Sequence, residues 1–340
     1  MNSESPNTYA SSRDWNFPEY FDLAQTPALS AAWERSHAVI ADMRQRLEGA
    51  AIEGLATIAA SGSVGRMEML EHSDVDLIVV LDDSIELHAA ETREIYEAVW
   101  MSLVPLDLKR PRDGGIYGSP TNCRELCDPS TIGKIEDDPS VFGKRIQLLL
   151  DSQPVVFPEN LKMATDRIVE RYATGIRQHP PSRNWHYLLN DLTRYYRSLC
   201  VYYEWDQRDR PAKWRLRNTK LRYSRLINHA GLLLLLAESI SKGPVDLDWF
   251  RMQLSLTPLE RIASVFSKCE SSDFNAIAAR YDRFLSQMSD KNFRERHESD
   301  DGSTYQKITE SARELSSTLL RFLLSNQNRW SERFFESLIF

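Results

Sequence analysis

Residues 55–81 read LATIAASGSVGRMEMLEHSDVDLIVVL. Leu55–Ala60 is a short apolar run followed at once by Ser-Gly-Ser-Val-Gly, the pattern of a buried strand that ends in a tight loop of phosphate size. Asp76–Leu81 is a second, strongly apolar strand. Asp74 and Asp76 stand one residue apart at its start, so strand alternation sends both carboxylates to one face. Two carboxylates that close repel one another unless a cation lies between them, and hard oxygen donors suit magnesium or manganese. Upstream, Gly62 and Gly65 let the backbone approach anionic oxygens, Ser63 offers a hydroxyl and an amide, and Arg66 offers a bidentate charged contact. Together these residues predict a triphosphate cradle beside a metal-binding pair.

Working outward, Leu29, Ala32, Trp33, Val39, Ile40, Met43 and Leu47 recur at helical spacing and predict a helix from Pro27 to about Gly49. Residues 84–101 return to that spacing, with Ile85, Ala89, Ile95, Ala98 and Val99 facing inward. A third strand is expected over Val104–Lys109, stopped by the turn chemistry of Arg110-Pro-Arg-Asp-Gly-Gly. It would carry Asp107 toward the Asp74–Asp76 pair as a third carboxylate, with Asp113 as the alternative. The structural alternative for Asp107 is a strand-end salt bridge near Lys109. Three carboxylates would serve a two-ion phosphoryl transfer, in which one ion lowers the pKa of the attacking hydroxyl and the other holds the triphosphate and the leaving pyrophosphate.

Beyond Phe157 and Pro158 the patterns are helical, as in Leu188, Leu192, Tyr195, Leu199 and Tyr202. The expected fold is α+β: a small mixed β-sheet flanked by helices, followed by a C-terminal all-helical domain. The divisions expected are a polar arm over 1–26, a catalytic domain over 27–158 and a helical domain over 159–340 that completes the nucleotide cleft.

A net charge of -7 argues against a general nucleic-acid coat, so any nucleotide site must be local. Cys123, Cys127, Cys200 and Cys269 are too few for a secreted disulfide framework, which favours a reducing cytoplasm. Cys123 and Cys127 lack the further ligands of a zinc site. The N-terminus has no basic patch and apolar run of a secretory signal, and the aliphatic run Leu232–Ala237 is far too short to span a bilayer, so no membrane partner is expected. His72 reads as structural, and Asp82, Asp83, Asp137 and Asp138 as acids at element ends.

The stretch GSVGRMEMLEHSDVDLIVV, 62–80, resembles the signature of the DNA polymerase β-like nucleotidyltransferase superfamily, which pairs a Gly-Ser loop with an Asp-x-Asp strand. Gly65-Arg66 and Ser73-Asp74-Val75-Asp76-Leu77 are most similar to its PII-uridylyltransferase and glutamine-synthetase adenylyltransferase branch. The resemblance implies two magnesium or manganese ions on Asp74, Asp76 and Asp107, and transfer of a nucleoside monophosphate from an NTP or dNTP to an acceptor hydroxyl. Gly62-Ser63 stands where the uridylyltransferases carry Gly-Gly, and no glutamine-sensing domain is evident, which sets PII aside as the acceptor.

Members of the superfamily lay basic and hydroxyl side chains of a helical domain over the triphosphate. Residues 213–225, KWRLRNTKLRYSR, hold six basic residues and no acid inside an acidic protein. On an α-helix Lys213, Arg217, Lys220 and Ser224 would share one face and clamp the phosphates, with Tyr223 or Tyr195 stacking on a base. A solvated charged face is the plain alternative for the cations, and helix packing is the plain one for Tyr187, Tyr195, Tyr196, Tyr202, Tyr203 and Trp205. Three functions follow: nucleotidylation of a protein or small molecule, synthesis of oligomeric or cyclic nucleotides in bacterial anti-phage defence, and an antitoxin-like protein with a degenerate site. The second is joined by a weaker resemblance, over the helical half, to the nucleotidyltransferase of the anti-phage Hailong system. A growing oligonucleotide is then the acceptor, and a homodimer or a partner effector protein is possible.

Overall fold

The computed structural model describes residues 17–111, 114–178, 185–209, 211–240, 245–299 and 302–339. Most of the expected N-terminal arm lies outside them. Its last part lies within: the Phe21 ring packs on Phe274 at 5.4 Å, and the Glu19 amide donates to Glu260 Oε1 at 3.0 Å.

Helix α1, Pro27–Ala50, opens on a proline at its first position, where the missing N–H costs nothing, and closes at Ala51 in the left-handed region. It buries Leu29, Ala32, Trp33, Ile40, Met43 and Leu47, the face expected from their spacing. Strand β1 (Leu55–Ser61) runs into the single-turn helix α2 (Gly62–Gly65), and β2 (Asp76–Leu81) returns antiparallel to β1. Helix α3 follows over Ala90–Leu103, then the two-residue strand β3 (Thr121–Asn122), the short helix α4 (Cys123–Leu126), helix α5 (Pro139–Leu150) and strand β4 (Gln153–Val156). The sheet order is β3-β2-β1-β4, with β3 parallel to β2 and the other pairs antiparallel. Ile58, Ala59, Ala60 and Ile78–Leu81 are all buried, which explains why these strands read as unbroken apolar runs rather than alternating ones.

The expected strand over Val104–Lys109 is absent. Val104–Leu106 instead extend α3 by a 3-10 turn with Pro105 in its first positions, and Asp107 ends it at φ 51, a left-handed conformation that no strand residue adopts. The third strand of the sheet is β3. Strand β4 went unread because Pro154 punctuates it; it lies at the sheet edge, where a proline is tolerated.

After β4 every described element is helical: α6 (Pro158–Gln178), α7 (His186–Asp209), α8 (Pro211–Lys220), α9 (Leu226–Ser239), α10 (Leu247–Leu254), α11 (Pro258–Lys268), α12 (Phe274–Ser289), α13 (Lys291–Ser299), α14 (Ser303–Ser325) and α15 (Glu332–Ile339). A π turn, Leu221–Arg225, joins α8 to α9. The run Leu232–Ala237 lies in the buried helix α9, and no helix is long and apolar enough to cross a membrane among the described residues. The hydrophobic core is continuous from the sheet into these helices. Buried polar ties reinforce it, among them the Arg261 guanidinium, which donates to the carbonyls of Leu149 and Leu150 at the end of α5 at 2.8 and 2.7 Å.

His229 on α9 stacks on Tyr196 at 4.4 Å, and burial draws its imidazole down to about 4. An unfolded chain takes up this proton near pH 6.5, so the stability contributed by neutral His229 is complete above that pH and is lost as pH falls toward 4. Urea unfolding at pH 7.5 and pH 5 should show a loss on the order of 1–2 kcal/mol that His229→Gln removes.

Candidate active site

The site grows from one register: Ser61, the last residue of β1, pairs with Asp76, the first of β2. Gly62 therefore turns directly beside the Asp76 carboxylate. Its φ is +67, and a Cβ there would lie 2.4 Å from Asp76 Oδ2, so this position takes no side chain. Gly65 is constrained still more tightly, since its Cβ would meet the Asp151 carbonyl oxygen at 2.0 Å and the Ala60 carbonyl oxygen at 2.5 Å. Glycine-loop geometry and the aspartate are thus one construction.

Asp74, Val75 and Asp76 alternate as the spacing predicts, with Val75 buried and Asp74 exposed on the other side. The Lys109 ammonium donates to Asp74 Oδ1 at 2.7 Å, with both groups largely in solvent. Asp76 is half-buried, and its carboxylate makes no hydrogen bond or ion pair among the described residues. Burial pushes its carboxyl up to about 6; Asp151 and Asp74 push the same way, and Arg225 and Arg66 oppose. A carboxylate so placed gains most from a bound cation.

Asp107 does not join the pair on the sheet. It is exposed in the left-handed turn after α3, and it is Lys109, two residues on, that reaches Asp74. Asp113, the alternative, lies outside the described residues. Among the described residues no three His, Cys, Asp or Glu side chains cluster to hold a metal ion. The donor set of Asp74 and Asp76 still fits magnesium, which binds through one or two carboxylates and fills its octahedron with phosphate oxygens and water.

Arg66 is not free to hold a triphosphate. It is buried, its Nε donates to Glu68 Oε1 at 2.7 Å, and its Nη1 donates to Asp151 Oδ2 at 2.6 Å. Although burial works against its charge, Glu68 and Asp151 keep it protonated with a raised pKa. Glu68 in turn accepts from Tyr281, whose hydroxyl lies 3.2 Å from Ser224 Oγ. Ser63 is half-buried in the loop, with its carbonyl accepting from the Glu68 amide at 2.8 Å.

The basic stretch divides. The Lys213 side chain lies outside the described residues. Arg217 is paired with Asp206 on α7, Ser224 is buried against Tyr281, and Tyr223 is buried with its ring stacked on Phe284 at 4.4 Å. Of the face expected of Lys213, Arg217, Lys220 and Ser224, the first three positions lie in α8 and only Ser224 falls in the π turn, whose extra residue shifts it. Lys220 is exposed and makes no ion pair among the described residues; burial and Arg225 draw its pKa down while Glu68 and Asp74 oppose.

The π turn brings in a cation not singled out from the sequence. Arg225 lies within electrostatic reach of Asp76, Arg66, Lys220, Tyr117 and Tyr195. Its Nη1 is buried without an acceptor among the described residues, and it makes no ion pair there. Tyr117 closes the inner side: its hydroxyl is 3.3 Å from Ser61 Oγ, and burial followed by Asp76 raises its pKa well above that of free tyrosine. Tyr117, Asp151 and Arg225 were legible only as isolated polar residues, because their partners lie tens of positions or more away; Glu68 stands two residues from Arg66, but its second partner, Tyr281, is 213 positions away. The stretch 213–225 was the one signal for Arg225.

No protein-family model matches this chain, and no curated protein or solved structure matches it.

Two substitutions separate the cations. Arg66→Ala leaves Glu68 and Asp151 buried without their counter-charge and should cost about 3–5 kcal/mol in denaturant unfolding. Lys220→Ala should leave stability within about 0.5 kcal/mol and weaken binding of a nucleoside triphosphate with magnesium by about tenfold in calorimetric titration.

Proposed function

We propose that the chain is a metal-dependent nucleotidyltransferase that moves a nucleoside monophosphate from an NTP or dNTP to an acceptor hydroxyl. The observation that carries this reading is the Asp76 carboxylate, turned into the notch of Gly62, free of hydrogen bonds among the described residues and within electrostatic reach of Arg225, with Lys220 within reach of its neighbour Asp74. A magnesium or manganese ion held by Asp74 and Asp76 would supply charge neutralisation at the phosphoryl group under attack. The Gly62–Gly65 backbone lets a phosphate approach with no side chain in the way, and Ser63 offers its amide and hydroxyl. Lys220, on the opposite wall, balances the charge of the phosphates that depart as pyrophosphate. Tyr117, within electrostatic reach of Asp76, would restrict water on its inner side.

Reaction balance is simple: the acceptor oxygen bonds to the α-phosphorus, the bond to the bridging oxygen of pyrophosphate breaks, and the acceptor proton passes to solvent. Incubation of the chain with each NTP and dNTP plus magnesium or manganese should release pyrophosphate with one nucleotide preferred, and Asp76→Ala should lower the rate by at least about a hundredfold. Absence of pyrophosphate and of any adduct with every nucleotide, and with candidate acceptors, would contradict the reading.

A second reading, synthesis of nucleotide oligomers, is favoured by the outer face of α7. Tyr202 and Trp205 are 56% and 58% exposed there, and Arg208 lies over the Trp205 ring at 4.7 Å. Exposed rings flanked by arginine are a platform on which successive bases stack. Chromatography of the same incubation distinguishes the two by product length.

A further inference from the structure

Asp151 caps the end of α5 and is wholly buried. Its carboxylate accepts three hydrogen bonds: from Ser61 Oγ at 2.6 Å, from Arg66 Nη1 at 2.6 Å and from Asn228 Nδ2 at 2.9 Å. The first two donors bracket the glycine loop, one residue before Gly62 and one after Gly65, and the Asp151 carbonyl lies over Gly65 itself. The third donor stands on α9, one turn beyond Arg225. A single buried side chain thus ties both ends of the loop to the helix that follows the Lys220–Arg225 segment.

The hydroxyl of Ser61 has one proton, and Asp151 is its shortest acceptor, at 2.6 Å against 3.2 Å for Gln147 Oε1; the Tyr117 hydroxyl then donates to Ser61. Arg66 is committed to Glu68 and Asp151 alike. A second tie to the α8–α9 wall runs through Glu68 and Tyr281, whose hydroxyl lies 3.2 Å from Ser224 Oγ, but it holds the chain beyond the loop, whereas Asp151 holds both loop ends.

We propose that Asp151 is a positioning residue, which sets the Gly62–Gly65 loop against the α8–α9 segment through Asn228 so that the phosphates are held in line with Asp76. The assignment rests on the nucleotidyltransferase reading for its catalytic consequence and on the three hydrogen bonds for its structural one. Ground-state affinity draws on several contacts, Lys220 among them, whereas alignment of attacking and leaving atoms is more sensitive to the loop position. Misplacement by about an ångström costs on the order of a hundredfold in rate. Loss of the tether should accordingly fall on kcat rather than on KM.

Asn228→Ala cuts the link to α9 and leaves the Ser61 and Arg66 bonds in place, so it tests positioning without opening the ion pair. Asp151→Asn keeps the shape and removes the charge. Both are compared, in the full chain, with Trp330→Phe as a control, which removes a distant buried hydrogen bond to Glu238. The expected result is a fall in kcat of about tenfold or more for Asn228→Ala, a KM for the nucleotide changed less than about threefold, and faster hydrogen exchange over residues 60–68. At a melting temperature matched to within a degree or two by the control, the control should do neither. Unchanged kcat and unchanged exchange in a folded Asn228→Ala would overturn the proposal, and if Asp151→Asn fails to fold, Asn228→Ala decides alone. Should the parent chain turn over no nucleotide, the function reading falls, and exchange over 60–68 still decides the positioning claim: faster supports it, unchanged refutes it.

Discussion

A fully buried carboxylate is stable only if its charge is balanced and its oxygens are hydrogen-bonded, and Asp151 meets both conditions through Arg66, Ser61 and Asn228. Much else follows from that requirement. Arg66 must point inward, so Gly65 must let the chain pass under the Asp151 carbonyl, and Glu68 and Tyr281 complete the balance of the guanidinium. The loop is then locked between β1 and β2 with Gly62 against Asp76. One arginine that reads in the sequence as a ligand for phosphate is instead the internal counter-ion that shapes the loop.

The site's electrostatics are correspondingly divided. Arg66 is neutralised by Glu68 and Asp151, whereas Asp76 and Arg225 influence one another without forming an ion pair. Opposite charges left apart and partly buried are costly, and the metal-bound phosphate of the proposed function would satisfy both at once. Lys109 on Asp74 is a weaker matter, an exposed pair that the proposed divalent ion would displace at little cost.

The local parts of this arrangement were legible in the sequence. Helix α1, strands β1 and β2, the glycine loop and the Asp74–Asp76 alternation follow from periodicity and turn chemistry acting over a few residues. Val104–Lys109 misled because Val104, Leu106 and Leu108 alternate as in a strand, while Pro105 and the left-handed Asp107 continue and end a helix instead. Ser224 misled because helical spacing was carried into a π turn, a one-residue insertion with no composition of its own, and Arg217 because its acceptor, Asp206, is brought near only by the packing of α7 on α8. Asp151, Asn228 and Glu68 were invisible as site residues because each acquires its role from a partner brought near only by the folded chain.

On the proposed function, Asp74 and Asp76 hold a divalent ion together with a nucleoside triphosphate beside the Gly62–Gly65 loop, with Lys220 and Arg225 as the nearby cations. A crystal grown with manganese and a triphosphate whose α,β-bridge cannot be cleaved, read by the anomalous signal of manganese, tests it directly. The account predicts a manganese peak in contact with both carboxylates, phosphates over Gly62–Ser63 and Lys220 turned toward them. A triphosphate bound elsewhere, or Asp76 left without metal at saturating manganese, would contradict it.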